Sequence, residues 1–202
     1  MPDVACLLLV NRAQAMTGGR CLFQGDESVI RLTQRWVERA VIGLNLCPFA
    51  GGVQKKGQVR YRVSDATEPA ALKAHLEEEL RLLQQTSPEA VETTLLIHPL
   101  MLDDFLDYND FLVVADQCLS ELELDGVIQI ASFHPRYRFA DSGPDDIENY
   151  TNRAPFPILH LLREESVSRA TAKLEAPDAI YRRNMQRMRE LGIEGWEALW
   201  SD

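Results

Sequence analysis

Two short, almost wholly apolar segments that each end in a His-Pro dipeptide constrain the fold most strongly. Residues 93–98 have the sequence TTLLIH before Pro99, and residues 127–134 have the sequence VIQIASFH before Pro135. Proline has no N–H to continue a strand ladder, so each segment is predicted to be a strand that stops at its proline. Near-continuous apolar strands are typical of a sheet that helices cover on both faces.

Three amphipathic helices are predicted around these two strands. The first runs from Ser28 to about Leu46, and the second begins at Pro69 with Glu77–Glu79 turned outward. The third opens on acidic residues that complement the helix dipole, and it ends before Asp125-Gly126.

The order of these elements predicts an α/β fold. Alternating residues in Gln58–Ser64 indicate a half-exposed strand at a sheet edge. A β-α-β-α-β order favours a small, mostly parallel sheet of three or four strands covered by helices. Helical spacing from Pro157 onward predicts a helical C-terminal third. We expect one domain over residues 28–202 and an N-terminal extension over residues 1–27, with Met16 as an alternative start.

The charge balance excludes several classes of partner. The chain has 202 residues and a formal net charge of −10. Nucleic-acid binding needs a clustered excess of Lys and Arg, so neither nucleic acid nor an anionic membrane surface is an expected partner. No apolar run approaches the roughly 18 residues of a spanning helix.

Cysteine usage favours the cytoplasm. Cys6, Cys21, Cys47 and Cys118 share no C-x-x-C spacing, which is typical of free thiols in a reducing compartment. The apolar run Val4–Val10 resembles part of a signal peptide, but it lacks the positively charged start that a secretory signal carries.

His98 and His134 are the strongest candidates for a functional site. In open parallel sheets, ligands bind outside the carboxyl ends of the strands, and each histidine ends one predicted strand. Both rings are therefore expected in one crevice as acid and base. In the structural alternative, strand-end histidines only bind backbone carbonyls.

A long polar loop follows the second strand. Residues 135–156 show neither helical nor strand periodicity, and long loops of this kind are often functional. The loop carries Asp145, Asn149, Asn152 and Arg153, and Arg153 is expected to clamp an anion together with Arg163. In the alternative, the loop's polar residues form hydrogen bonds only within the loop's own turns.

His160 and Cys47 are weaker candidates. His160 is predicted on a helix after the loop, where Glu164 shares its face and orients the ring, although a plain surface pair explains the same spacing. Cys47 precedes Pro48, and it is a nucleophile if a helix begins there. It is an inert buried thiol if the preceding helix only ends there.

Five further segments of the chain are AVIGLNLCPFA (residues 40–50), ETTLLIHP (92–99), FLDYNDF (105–111), IASFHP (130–135) and DDIENYTNRAPFPILHLLRE (145–164). Together, over roughly residues 29–200, they resemble the uncharacterised bacterial family called domain of unknown function 1415. The resemblance implies that the Cys-Pro-Phe, His-Pro and N-x-x-N-R segments are characteristic of such proteins. It assigns none of them a role.

The leading hypothesis is an enzyme that acts on a small anionic metabolite, with no cofactor identified. The catalytic candidates are His98, His134 and Cys47, and the substrate-binding candidates are Asn149, Asn152, Arg153, Arg163, His160 and Asp145. One alternative is a non-catalytic interaction protein whose Trp196/Trp200 face binds a partner or a second copy. Another is a metalloprotein that uses His98, His134 and His160 with Asp145.

Overall fold

The computed structural model describes residues 25–172 and 179–201. The predicted N-terminal extension up to residue 24, including Cys6, Cys21 and Met16, lies outside the described residues. Within the described ranges, no helix is long and apolar enough to cross a membrane.

Four strands form one mixed sheet with the spatial order β1-β2-β4-β3. The strands are β1 (Val59–Val63), β2 (Thr93–Ile97), β3 (Ile128–Phe133) and β4 (Ile158–Arg163). β1 and β2 are parallel, whereas β4 is antiparallel to both β2 and β3. The predicted α/β class is therefore confirmed, but the prediction of a mostly parallel sheet is wrong.

The error arises at β4, where a helix is predicted from Pro157 onward. An apolar run as short as ILHLLR fits either a helical turn or a buried strand, so its periodicity does not decide between them. β4 is a central strand, and its residues Ile158, Leu159 and Leu161 have no exposed surface. Burial on both faces explains why the run is nearly continuous in apolar residues.

Six helices in the described residues cover the two faces of the sheet. They are α1 (Asp26–Trp36), α2 (Ala50–Lys55), α3 (Pro69–Gln85), α4 (Phe105–Glu121), α5 (Glu164–Thr171) and α6 (Ala179–Ala198). Leu96 and Leu159 pack against α3 and α4 on one face. Ile97 and Ile158 pack against α1 and α6 on the other. The helical C-terminal part is thus confirmed, although it begins after β4.

The first helix differs from its prediction at both ends. Gly25, not Ser28, precedes its first turn, and the Ser28 hydroxyl donates to the Gly25 carbonyl at 2.9 Å. Beyond α1 the helix widens into a π-helix over Val37–Ile42. The Gly43 N–H then reaches back five residues to the Glu38 carbonyl at 3.0 Å.

A buried carboxylate joins α3 to the edge strand β1. Glu79 is 1% exposed, so the prediction that Glu77–Glu79 all face outward is wrong for this residue. Its two carboxylate oxygens accept from Arg60 Nε at 2.7 Å and from Arg60 Nη2 at 2.9 Å, and Arg62 lies 3.7 Å away. The pairing explains how two arginines of one short strand are accommodated beside an apolar core.

Replacing Glu79 with glutamine tests this interpretation. The Glu79→Gln variant keeps the side-chain shape but removes the charge, and it leaves Arg60 with a weaker partner. We expect the free energy of unfolding to fall by about 1–3 kcal/mol in urea denaturation. The neighbouring Glu78→Gln control, at an exposed position, is expected to change it by less than about 0.5 kcal/mol. Equal effects of the two variants would contradict the interpretation.

Candidate functional site

The two strand-end histidines lie at the same end of the sheet, where β2 and β3 both finish, beneath the start of α4. β4 separates their strands, and Tyr108 of α4 bridges the gap with its ring centroid 5.7 Å from that of His98 and 5.1 Å from that of His134. The Tyr108 hydroxyl donates to the Ile158 carbonyl at 2.8 Å and accepts from the Phe133 N–H at 3.2 Å. These five residues therefore form one packed layer across the ends of β2, β4 and β3.

Both histidine rings are fully buried. His134 Nε2 lies 3.0 Å from the Leu102 carbonyl and its Nδ1 accepts from the Arg136 N–H at 3.0 Å, which assigns a neutral ring protonated on Nε2. His98 Nδ1 lies 3.4 Å from the Met101 carbonyl, and its Nε2 has no partner among the described residues. These contacts match the structural alternative, in which the histidines bind backbone groups.

Burial also lowers the pKa of both imidazoles from 6.5 to about 4. Desolvation is the main cause at each ring, because it penalises the charged form. At His98 the nearby His134 lowers the pKa further, while the hydrogen bond to Met101 opposes the shift. Both rings are therefore neutral at physiological pH and shielded from a ligand in solvent.

The long polar loop is organised around Asn149, which is buried. Its Oδ1 accepts from the Phe139 N–H at 3.0 Å and from the Ser142 hydroxyl at 2.6 Å. Asn152 Nδ2 donates to the Ser132 carbonyl at 3.2 Å and so ties the loop to β3. Both amides stabilise the loop from within, as the structural alternative for this loop predicts.

The two arginines predicted to hold an anion donate to backbone carbonyls. Arg153 Nη2 donates to the Pro144 carbonyl at 2.6 Å, and its guanidinium lies 4.2 Å from the centre of the Tyr150 ring. Arg163 Nη2 lies within 3.0 Å of three carbonyls at and after the C-terminus of α3, those of Leu83, Thr86 and Val91. Asp145 is exposed on the loop. The structure does not bring the two guanidiniums together in one crevice.

His160 lies on β4, so its predicted placement on a helix is wrong. Its ring is on the opposite face of the sheet from His98 and His134, where Nε2 donates to the Thr93 hydroxyl at 2.8 Å. Burial lowers its pKa to about 4. The histidines and Asp145 thus do not converge, and no cluster of three or more His, Cys, Asp or Glu in the described ranges has a metal-binding arrangement.

The C-terminal tryptophans belong to the core. Trp196 and Trp200 are 7% and 5% exposed, and their rings meet edge to face at 5.4 Å. Ile193, earlier on α6, is 42% exposed. Two buried indoles supply no apolar surface for a partner.

Cys47 lies half-buried in the turn between the π-helix and α2. Burial raises the pKa of its thiol above the ordinary value of 9.0. The N–H groups of Phe49 and Ala50 and the charge of Arg183 act in the opposite direction but do not offset burial. The thiol is therefore protonated at neutral pH, although α2 begins at Ala50, shortly after Cys47, as the nucleophile alternative supposed.

A cavity of about 410 Å³ opens between the turn that follows the π-helix, a few residues before Cys47, and α6. Its lining residues are Gly43, Leu44, Asn45, Arg183, Gln186, Arg187 and Glu190. Arg183 Nη2 donates to the Asn45 carbonyl at 2.7 Å, which fixes that guanidinium at the cavity wall. Within the described chain, no acceptor pairs with the exposed guanidinium of Arg187. This volume lies in the range of small-molecule sites.

The backbone at the cavity is locally unusual. The π-helix ends there, and Asn45 has a φ of 55°, a left-handed conformation that is uncommon outside glycine. A Cβ on Gly43 would clash with the Arg39 carbonyl oxygen, so this turn requires glycine. Single π turns are frequent at functional sites.

The sequence patterns did not predict this cavity. Its one signal in the chain is the density of arginine on α6, which carries Arg182, Arg183, Arg187 and Arg189 in an otherwise acidic protein. Nothing in the sequence brings these residues next to Gly43–Asn45, because some 140 residues separate the two segments.

Acidification is expected to destabilise the fold through His98 and His134. In the unfolded chain each ring binds a proton near pH 6.5, whereas the folded protein keeps it neutral down to about pH 4. The unfolded state binds more protons in this window, so this stability is complete above pH 6.5 and is lost as the pH falls toward 4. Urea denaturation should give a slope of up to about 1.4 kcal/mol per pH unit for each histidine.

A substitution at His98 distinguishes the contribution of this buried ring to the pH dependence from that of other titrating groups. His98→Gln is expected to reduce the slope of the unfolding free energy between about pH 6.5 and about pH 5, even if it lowers stability at every pH. The control is Gln84→Ala at an exposed position of α3, which removes no titrating group and is expected to keep the wild-type slope. A wild-type slope in His98→Gln would show that the buried ring does not govern the pH dependence.

The thiol of Cys47 is expected to react slowly with iodoacetamide at neutral pH, because burial favours its protonated form. Peptide mass spectrometry measures the alkylation rate of Cys47 in the folded protein and in urea, which serves as the internal control. We expect alkylation in urea to be faster by about tenfold or more. Faster alkylation in the folded state would instead identify an activated nucleophile.

Comparison with protein families places the chain in one of them. Residues 28–198 match the family model described as protein of unknown function (DUF1415). No curated protein and no solved structure gives a significant match. The family match covers most of the chain and confirms the resemblance carried by its His-Pro and N-x-x-N-R segments. The chain belongs to the DUF1415 family.

Proposed function

We propose that this protein binds a small anionic molecule in the cavity between α6 and the turn that follows the π-helix. The observation that carries the proposal is the guanidinium of Arg187, which lines this cavity and has no acceptor among the described residues. Guanidinium groups bind carboxylates and phosphates with two parallel hydrogen bonds. An unpaired one at a cavity wall is suited to such a ligand.

The electrostatics of α6 favour an anion at this place. The whole chain carries a net charge of −10, but four arginines and a single glutamate lie between Arg182 and Glu190. Clefts lined by one sign of charge concentrate ligands of the opposite sign. The local excess of positive charge therefore attracts a small anion, although the protein as a whole is acidic.

The polar groups of the cavity differ in how firmly they are held. Arg183 is bound to the Asn45 carbonyl, and Gln186 Nε2 donates to Glu190 at 2.8 Å. Arg187 is left to adapt to the ligand, so the site combines one fixed and one adjustable guanidinium. A donor that is already fixed loses little conformational entropy when a ligand binds.

The proposal concerns binding rather than a reaction. No histidine, cysteine or serine is among the residues that line the cavity, and Glu190 is its one carboxylate. Acid-base catalysis needs a titrating side chain in contact with the substrate, and Glu190, the one such carboxylate in the lining, accepts a hydrogen bond from Gln186 Nε2 at 2.8 Å. The hypothesis of catalysis through His98 and His134, like that of a metal centre, remains a prediction from the sequence.

Titration calorimetry with small anions tests the proposal. The probes are inorganic phosphate, pyrophosphate and citrate, each at low ionic strength so that charge pairing is not screened. We expect saturable binding of at least one probe, and Arg187→Gln is expected to weaken it by about tenfold or more.

The matched control is Arg31→Gln, which removes the same charge from the exposed surface of α1. It is expected to leave the dissociation constant unchanged, because a distant surface charge is largely screened. Equal weakening by both variants, or the absence of saturable binding to every probe, would refute a specific site at Arg187.

A further inference from the structure

The two edge strands of the sheet differ in how well they are protected against pairing with a further strand. The edge strand β1 carries Arg60 and Arg62, charges of the kind that block pairing with another strand. The opposite edge strand, β3, has the sequence IQIASF, with no charged residue, proline or glycine. An uncharged edge strand of six residues is a template for a further strand.

The register determines which backbone groups of β3 point away from the sheet. The Glu164 N–H donates to the Val127 carbonyl at 2.9 Å, and this pair continues the antiparallel register of β3 with β4. Hydrogen-bonded pairs alternate along an antiparallel ladder. The odd-numbered residues of β3 therefore bond to β4, and Ile128, Ile130 and Ser132 direct their N–H and C=O groups outward.

Two of these six outward groups already have partners. The Ile128 N–H donates to the Leu124 carbonyl at 3.0 Å, and the Ser132 carbonyl accepts from Asn152 Nδ2 at 3.2 Å. The four that remain are the Ile128 carbonyl, both groups of Ile130 and the Ser132 N–H. No described residue bonds to them from outside the sheet.

We propose that β3 pairs with β3 of a second copy of this chain, antiparallel about a two-fold axis that passes through Ile130. In this register the two Ile130 residues exchange both of their N–H···O=C bonds. Each Ser132 N–H then donates to the partner's Ile128 carbonyl. The four hydrogen bonds use every open group on both edges and none that is already occupied.

The side chains at this edge are also compatible with the proposed dimer register. Ile130 lies opposite the partner's Ile130, and Val127 lies opposite the partner's Phe133. Val127 is 48% exposed and Phe133 is partly exposed in the single chain, so their contact covers apolar surface on both copies. A closed two-fold dimer of this kind joins two four-stranded sheets into one of eight strands and leaves only the arginine-bearing β1 edges open.

Sedimentation velocity over a concentration series tests the pairing with the full chain. The mass is expected to rise with concentration from 22.9 kDa toward twice that value. Ile130→Pro removes one central N–H from each copy, and proline is tolerated where an edge N–H faces solvent, so this variant should stay monomeric. Val127→Lys keeps every backbone bond but places an ammonium group opposite the partner's Phe133, where it replaces an apolar contact, so this variant should also weaken dimerisation.

Val113→Lys is the matched control. It makes the same substitution at a valine that is 60% exposed on α4 and lies outside the strand, and it is expected to dimerise like the wild type. Hydrogen exchange gives a second readout, in which the amides of Ile130 and Ser132 become more protected as concentration rises.

Three results would overturn the proposal. The first is a wild-type chain that stays monomeric at its highest soluble concentration. The second is dissociation by Val113→Lys but not by Val127→Lys, which would assign the interface to α4. The third is protection of the Ile130 amide that does not depend on concentration, which would mean that another segment of the same chain, such as residues 1–24, occupies the edge.

Discussion

The insertion of β4 between β2 and β3 is the constraint on which the rest of this structure depends. A strand in that position has its backbone bonded on both sides, and four of its six side chains are buried and apolar, whereas His160 and Arg163 are partly buried. Tyr108 completes the arrangement, because its hydroxyl joins the Ile158 carbonyl to the Phe133 N–H where β4 enters the sheet. Residues 134–157 make the connection by which the chain turns back from the end of β3 and enters β4 in the opposite direction.

This layer also determines the environment of the two strand-end histidines. In a purely parallel sheet, the ends of neighbouring strands would open into a crevice. Here an antiparallel strand fills that space, Tyr108 covers it, and the rings of His98 and His134 become part of the packing. Neutral imidazoles bonded to carbonyls are a stable use of histidine in such a place, because a charged ring would be costly to bury.

Arginine has a similar structural role in much of this molecule. Helix ends leave carbonyls without partners, and guanidinium groups satisfy them in several places. Arg163 does so beyond α3, Arg39 at the end of α6, and Arg183 at the turn after the π-helix. Arg187 differs because it faces a cavity without a protein acceptor, and for this reason the proposed anion site is placed there rather than at the arginines of the loop.

Local periodicity was sufficient to predict the α/β class, the ends of the strands before Pro99 and Pro135, and the edge position of β1, because each depends on residues close together in the chain. The direction of β4, the inward turn of Glu79 and the cavity at Arg187 were not predictable in this way. Each depends on a partner far along the chain: β4 on β2, Glu79 on Arg60, and the cavity on the π turn that meets α6. A short apolar run or a surface charge pattern is compatible with several such partners, and only tertiary packing selects one.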